Sequence, residues 1–206
     1  KDATVAVEIL DKAGNIVAKG PATVDAEGNW TYTPDAALPE GDYTIKAVAT
    51  DPVGNTTTEI SEVPFTVDTT APSNTDVTID PIDDTNDTTP AITGTTEADT
   101  KVKVVVKDSA GNIVDQGDAT VTDKTWTYTP KVDLADGEYT VVASATDPAG
   151  NTGDSLPESF VVDTVGPELT IDDVEPTNDT TPTLSGTTDK DATVAVEILD
   201  KAGNIV

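Results

Sequence analysis

The chain has 206 residues with 39 acidic and 11 basic side chains, every basic one a Lys, and a formal net charge of -28. Phosphate binding needs a basic footprint, so a nucleic-acid partner is excluded, and divalent cations become the natural complement. With no Cys, Met or His, no disulfide or thiolate site can staple the fold, which leaves small cores and oxygen-ligated ions.

Thr- and Val-rich composition, frequent turn residues and the lack of a three-to-four-residue apolar spacing predict an all-β chain. Only 35% of the residues are hydrophobic, a figure compatible with disorder. The apolar residues are, however, concentrated in short alternating runs, which argues for ordered strands. No apolar run is long enough to span a membrane, and direct membrane insertion is not expected. No secretion signal is present either, so any export address is expected outside this segment.

Taken in chain order, Lys1 to Val17 returns letter for letter as Lys190 to Val206. Trp30-Thr31-Tyr32-Thr33-Pro34 returns as Trp126-Thr127-Tyr128-Thr129-Pro130, and Asp51-Pro52-Val53-Gly54-Asn55-Thr56 as Asp147-Pro148-Ala149-Gly150-Asn151-Thr152, both 96 residues on. Asn86-Asp87-Thr88-Thr89-Pro90 returns as Asn178-Asp179-Thr180-Thr181-Pro182. Units of about 95 residues have the length of an immunoglobulin-like sandwich domain. The division predicted is a partial sandwich over 1–72 (strands C to G), a complete one over 73–167 and a partial one over 168–206 (strands A to C). Two explanations fit the interrupted end units: a window on a longer array, or end fragments that complete each other between molecules.

In the complete unit, strand A is predicted over Asp76 to Asp80 with Val77 and Ile79 facing in. Strand B covers Ala91 to Thr95, and strand C covers Lys101 to Lys107 with Val102, Val104 and Val106 inward. Trp126 and Tyr128 share the buried face of strand E. Tyr139 opens strand F in the position of a tyrosine corner, followed inward by Val141, Ala143 and Ala145. Strand G runs through Phe160 and Val162 into Val162-Asp163-Thr164-Val165-Gly166-Pro167, which repeats the earlier joint Val67-Asp68-Thr69-Thr70-Ala71-Pro72. Each joint closes on a Pro that stops ladder pairing.

Sandwich topology puts the BC and FG loops at the pole that receives the incoming joint. Asp68 is therefore expected to face Glu97, Asp99 and Asp147, and Asp163 to face Asp189 and Asp191. Asp2 and Asp51 would face a joint entering the first unit. Carboxylates converging in a partly desolvated crevice repel one another. A Ca²⁺ ion bound through six to eight oxygens would relieve that repulsion and cross-link the neighbours.

Plainer readings compete. Asp-Pro-x-Gly-Asn is also a good turn, Asp87 and Asp179 can cap turns through Asx bonds, and Asp11 and Asp108 start segments that read as plain turns. Asp68 and Asp163 can be solvated linker residues. No EF-hand loop and no calcium-binding nonapeptide repeat occurs. Catalysis has little to stand on, since His, Cys and Arg are all absent and short-looped sandwiches seldom form the deep cleft that a carboxylate pair needs. Thr-x-Thr pairs at Thr31/Thr33 and Thr127/Thr129 can present a flat face to carbohydrate or ice, although solvent-facing Thr is common on strands.

Together, the Asp-Thr-Thr-Ala-Pro joint, Asn-Asp-Thr-Thr-Pro before Ile-Thr-Gly-Thr, Ala-Thr-Asp-Pro-Ala-Gly-Asn-Thr and Trp-Thr-Tyr-Thr-Pro resemble the bacterial Ig-like tandem repeats of giant RTX and biofilm-associated adhesins. The resemblance covers essentially the whole chain. It implies extracellular extender domains on the bacterial cell surface, rigidified by Ca²⁺ at joints where Asp68 and Asp163 match the family's linker acid, and partnered by neighbouring repeats. The ligand of the distal binding region would not be encoded here. Val165-Gly166 departs from Thr-Ala and implies a second joint of different flexibility or coordination. A ligand-binding module for carbohydrate or ice in the same type of adhesin is the alternative.

Overall fold

A computed structural model describes residues 3–206. Its fifteen strands are β1 (Thr4–Asp11), β2 (Ile16–Pro21), β3 (Thr23–Val24), β4 (Trp30–Thr31), β5 (Gly41–Thr50), β6 (Thr56–Ile60), β7 (Phe65–Val67), β8 (Ile92–Thr95), β9 (Lys101–Asp108), β10 (Ile113–Asp118), β11 (Thr120–Thr122), β12 (Thr125–Tyr128), β13 (Gly137–Thr146), β14 (Thr152–Asp154) and β15 (Glu158–Val162). The architecture is all-β, as expected, with tandem sandwiches built from antiparallel ladders.

The middle sandwich shows why this sequence folds so. In one sheet the order is β10-β9-β13-β14, with β15 also on β13; in the other it is β11-β12-β8. Period-two alternation on β9 sends Val102, Val104 and Val106 inward, and Tyr139, Val141, Ala143 and Ala145 of β13 lie beside them. Trp126 and Tyr128 come from the facing sheet, and together with Ile92, Leu134, Phe160 and Val162 they close one buried cluster. The Trp126 Nε1–H donates to the carbonyls of Thr78 and Thr95, both at 3.1 Å, so the indole is buried without an orphaned donor. Tyr139 forms the expected corner, its hydroxyl donating to the Ala135 carbonyl at 2.8 Å, and Tyr43 repeats it on Pro39 at 2.7 Å.

Two expectations needed adjustment. Residues 76–80 form no regular ladder strand; two main-chain hydrogen bonds, Thr78 N–H to the Thr95 carbonyl and Asp80 N–H to the Thr93 carbonyl, together with side-chain bonds from Thr93 and Thr95, hold the segment against β8 and bury Val77. The last strand is broken into β14 and β15, because Pro157 cannot donate and Ser155 breaks step, exchanging bonds with Ala143 through its N–H and its Oγ.

In the first unit the order β2-β1-β5-β6 with β7 on β5 reproduces the larger sheet, whereas the facing layer is reduced to the hairpin β3-β4. Among residues 168–206, Thr170 and Asp172 bond back to Thr187 and Ser185, and Leu199 bridges Ile205.

Candidate functional site

One five-residue segment recurs at six turns, Asp-x-x-Gly-Asn, beginning at Asp11, Asp25, Asp51, Asp108, Asp147 and Asp200. The Asp N–H donates to the Asn carbonyl, the Gly N–H returns to the Asp carbonyl, and the Gly takes a positive φ between 83° and 97° at every copy. One carboxylate oxygen accepts the Asn N–H at 2.8–2.9 Å, and the Asn side-chain amide donates to the carboxylate as well. Asn side-chain donation comes first among the causes that hold all six carboxyls below their ordinary value of 3.8. Each turn closes on its own Asp and Asn side chains. Asp51 and Asp147 sit in them, with their oxygens engaged.

The Asp147 turn does more than close itself. Asn151 Nδ2–H also donates to the main-chain carbonyl of Asp68, 83 residues upstream, at 3.1 Å. The incoming joint is thus tied to the turn between β13 and β14. Beside it, Pro72 is buried, and its carbonyl lies so close to Gly153 of β14 that a Cβ there would sit 1.7 Å from the oxygen. Only Gly lets the linker backbone approach the strand this closely.

On its other side the joint is held by the first unit. Glu40 Oε1 accepts the Thr69 N–H at 3.1 Å, the Thr69 hydroxyl at 2.5 Å and the Thr70 hydroxyl at 2.8 Å. These bonds, the Thr69 hydroxyl first, pull the Glu40 carboxyl below the usual carboxylate range. Asp68 Oδ1 accepts the Thr70 N–H at 2.9 Å. The second joint repeats the plan with fewer bonds: Asp136 accepts the N–H and hydroxyl of Thr164, and Asp163 accepts the Val165 N–H. Val165 offers no hydroxyl in place of that of Thr70.

Around the first joint a groove is lined by Asp68, Asp76, Glu97 and Asp147, with Lys124 the basic residue on the same wall. Asp68, Glu97 and Asp147 therefore share one groove; Asp99, at a positive φ of 61° in the loop that follows β8, does not line it. At the second joint Asp189 accepts the Glu168 N–H at 3.1 Å, and Asp191 is exposed. Asp2 lies outside the described residues. Oxygen-only donors suit a hard divalent cation, yet among the described residues no three carboxylates gather into a ligand set. Asp87 and Asp179 take the Asx role, accepting from Thr89 and Thr181 N–H.

Glu40, Asp136, Asn151 as a cross-joint donor and Gly153 escaped sequence reasoning. The one available signal was the recurrence of Glu or Asp directly before Gly-(Asp/Glu)-Tyr in both units.

A model of the bacterial Ig-like domain matches residues 1–69 and 72–164. Among solved structures, the tetra-tandem repeat in the extending region of a large adhesion protein is 35% identical in sequence, over 100% of this chain and 54% of that one, with a TM-score of 0.42. The BSP domain of a biofilm-associated protein is 22% identical over 79% of this chain and 26% of its own, with a TM-score of 0.32. Fibronectin(III)-like modules of Clostridium thermocellum CbhA are 18% identical over 79% of this chain and 80% of theirs, at 0.38. The chain spans about half the length of the adhesion-protein repeat it matches. No protein of curated function matches the sequence.

Proposed function

We propose, from the premise that this chain belongs to the bacterial Ig-like domain family, that it is a non-enzymatic extender segment of a bacterial cell-surface adhesin, giving length and stiffness to an extracellular array. The adhesin role is carried over from the 35%-identical sequence, itself part of an extending region. The mechanical role rests on one observation: the joint is clamped from both sides, by Glu40 behind it and by Asn151 and Gly153 ahead of it. A linker whose carbonyls and hydroxyls are tied to both neighbours loses most of the swing that a free Pro-containing tether keeps.

Calcium is the second stiffener in this reading. Asp68, Glu97 and Asp147 at the first joint, and Asp163 with Asp189 and Asp191 at the second, are the residues that would bind it, with Asp99 beside the first set. The ion would supply positive charge to a groove in which Lys124 faces four carboxylates. Solution scattering in Ca²⁺ and in chelator tests this: a longer maximum dimension with Ca²⁺, reduced in Asp68→Asn, is the expected result. Superimposable profiles would remove calcium from the reading and leave the clamped joint.

A second reading has an observation of its own. On the outer face of the middle sandwich, Thr120, Thr127 and Thr93 form one cross-strand row and Thr122, Thr125 and Thr95 the next. These cross-strand rows turn hydroxyls toward solvent at strand spacing, the chemistry a carbohydrate- or ice-binding face uses. Binding of the intact chain to a glycan array or to ice, abolished by Thr127→Val with Thr125→Val, would favour it over the extender.

A further inference from the structure

The chain enters and leaves the middle sandwich at opposite ends of its strands. Pro72 comes in against Gly153, which pairs with Ala145 near the end of β13. At the exit, Val162 pairs with Gly137 at the start of β13. Tension along a row of such units therefore pulls Pro72 and Asp163 apart along the strand direction. Resistance depends on what fastens the entering chain to the leaving one.

The entering chain is attached first to β8, where the Thr78 and Asp80 N–H groups donate to the Thr95 and Thr93 carbonyls at 3.0 and 2.9 Å. It then crosses to the other sheet, and Thr85 lies parallel to Val162. The Thr85 N–H donates to the Val161 carbonyl, and the Thr85 carbonyl accepts the Asp163 N–H, both at 2.9 Å. Asp84 Oδ1 accepts the Val161 N–H at 2.9 Å. These three bonds occupy the edge of β15 that faces away from β13. Just beyond, the Thr88 carbonyl accepts the N–H of Leu134, a member of the buried cluster, and the Thr88 hydroxyl donates to Asp133. The segment cannot slide along β15 without disturbing the core.

Direction decides how such bonds fail. Because N–H···O bonds run across the strands, two parallel segments drawn lengthwise past each other stress all of their shared bonds together. A ladder opened from one end yields one bond at a time. Once the two bonds of segment 76–80 give way, tension passes from Thr85 straight to Val161 and Asp163. Residues 86–157, which hold β8 to β14, then lie outside its path.

We propose that Asp84 and Thr85, bonded to the end of β15, form a tensile fastening that sets the force at which the middle sandwich unfolds. The inference deepens the extender reading, on which its purpose rests, by naming the bonds that take the tension.

Single-molecule pulling on the intact chain tests it, and a sequence without Cys allows handles to be placed by substitution. Handles at Ala71→Cys and Val165→Cys load the middle sandwich end to end. Asp84→Ala should then lower the unfolding force by about a third, as one of three bonds sharing the stress is lost. Asp84→Asn, which keeps a side-chain carbonyl in place, should restore it, and Thr85→Pro, which lacks the N–H, should lower it further. Val121→Ala, on β11 against the core, should lower the thermal midpoint and leave the force unchanged, because forced unfolding follows the rate of rupture and not the equilibrium stability. Handles at Ala110→Cys and Val165→Cys lie at one end of the sandwich, since Asp108 stands opposite Tyr139 and Tyr139 opposite Phe160. In that geometry the sandwich should open at lower force, and Asp84→Ala should matter less.

A force unchanged by Asp84→Ala overturns the proposal, as does a loss that Asp84→Asn fails to restore. A loss matched by Val121→Ala, or equal in the two geometries, overturns it too. Asp84 is exposed, so its variants decide the matter even where Thr85→Pro does not fold. Scattering that shows a freely swinging joint would sink the extender reading and leave these forces as they are, whereas unaltered forces would sink the fastening and leave the scattering as it is.

Discussion

Trp30 and Trp126 occupy the same place in two copies of one motif, yet one is half open and the other closed. Local sequence is nearly the same around both, so the difference lies in the second sheet. Where β8 and segment 76–80 are present, Trp126 gains two acceptors and a complete apolar wall. In the first unit the hairpin β3-β4 carries Trp30, and among the described residues no second strand covers it. Burial of the largest side chain is thus set by strands remote in sequence, and the small alternating runs of this composition form a core only when both layers are assembled.

The largest expected contrast follows directly. Trp126→Ala should destabilise the middle sandwich by about 3–5 kcal/mol, as cavity-forming aromatic deletions do. Trp30→Ala should cost the first unit about 1 kcal/mol or less, since Trp30 is 41% exposed. Calorimetry that resolves the two transitions checks both, and equal losses would show that the two units are equally well packed.

Next in size is the joint. Gly153→Val should displace the Pro72 carbonyl from β14, speeding proteolysis within 68–72 and broadening the distance distribution in scattering, while the midpoint of the middle sandwich moves little. Thr57 is the corresponding position in the first unit, paired with Ala49 as Gly153 is with Ala145, and Thr57→Val should leave the joint unchanged.

Acid sharpens the comparison further. Each Asp of the recurrent turns has a folded pKa below its ordinary value of 3.8, so the stabilisation is present above that value and is lost as pH falls below it and through the lowered folded pKa. The first unit has three such turns and an open core, and the middle sandwich two, with Asp115 in addition. At Asp115 burial pushes the pKa up, but donation by the Tyr128 hydroxyl and the Lys131 N–H outweighs it. The first unit should therefore unfold at the higher pH as acid is added. With no His in the chain, stability should be flat from about pH 5 to pH 8. Circular dichroism against pH reads both.

Smallest is the effect of single Asn amides. Asn112→Ala and Asn151→Ala each remove a solvent-screened turn bond and should each lower the unfolding midpoint only slightly. Asn151→Ala also releases the Asp68 carbonyl, and its extra effect should show as faster hydrogen exchange confined to the joint.

Much of the sandwich was legible because alternation fixes which residues share a face: Val102, Val104, Val106, Trp126 and Tyr128 are all buried as their spacing requires. The tyrosine corner was legible for the same local reason. What could not be read were bonds between distant positions that leave no pattern. Nothing in the sequence pairs Glu40 with Thr69, and a lone Gly at 153 reads equally well as a bulge or a close approach. The sharing of one groove by Asp68, Glu97 and Asp147 came from loop topology alone. Whether such carboxylates are used by an ion or by their own turn depends on side-chain bonding, which loop topology does not carry.

The contact between Pro72 and Gly153 imposes an order on the repeats. A unit with Thr at that place, as the first has at Thr57, cannot receive a linker lying as Pro72 lies, since even the first side-chain carbon would overlap the carbonyl. Repeats of this kind are not interchangeable beads. Each carries on its strand surface a condition on which joint may precede it, and a copy moved to another place in the row would keep its fold and lose its alignment.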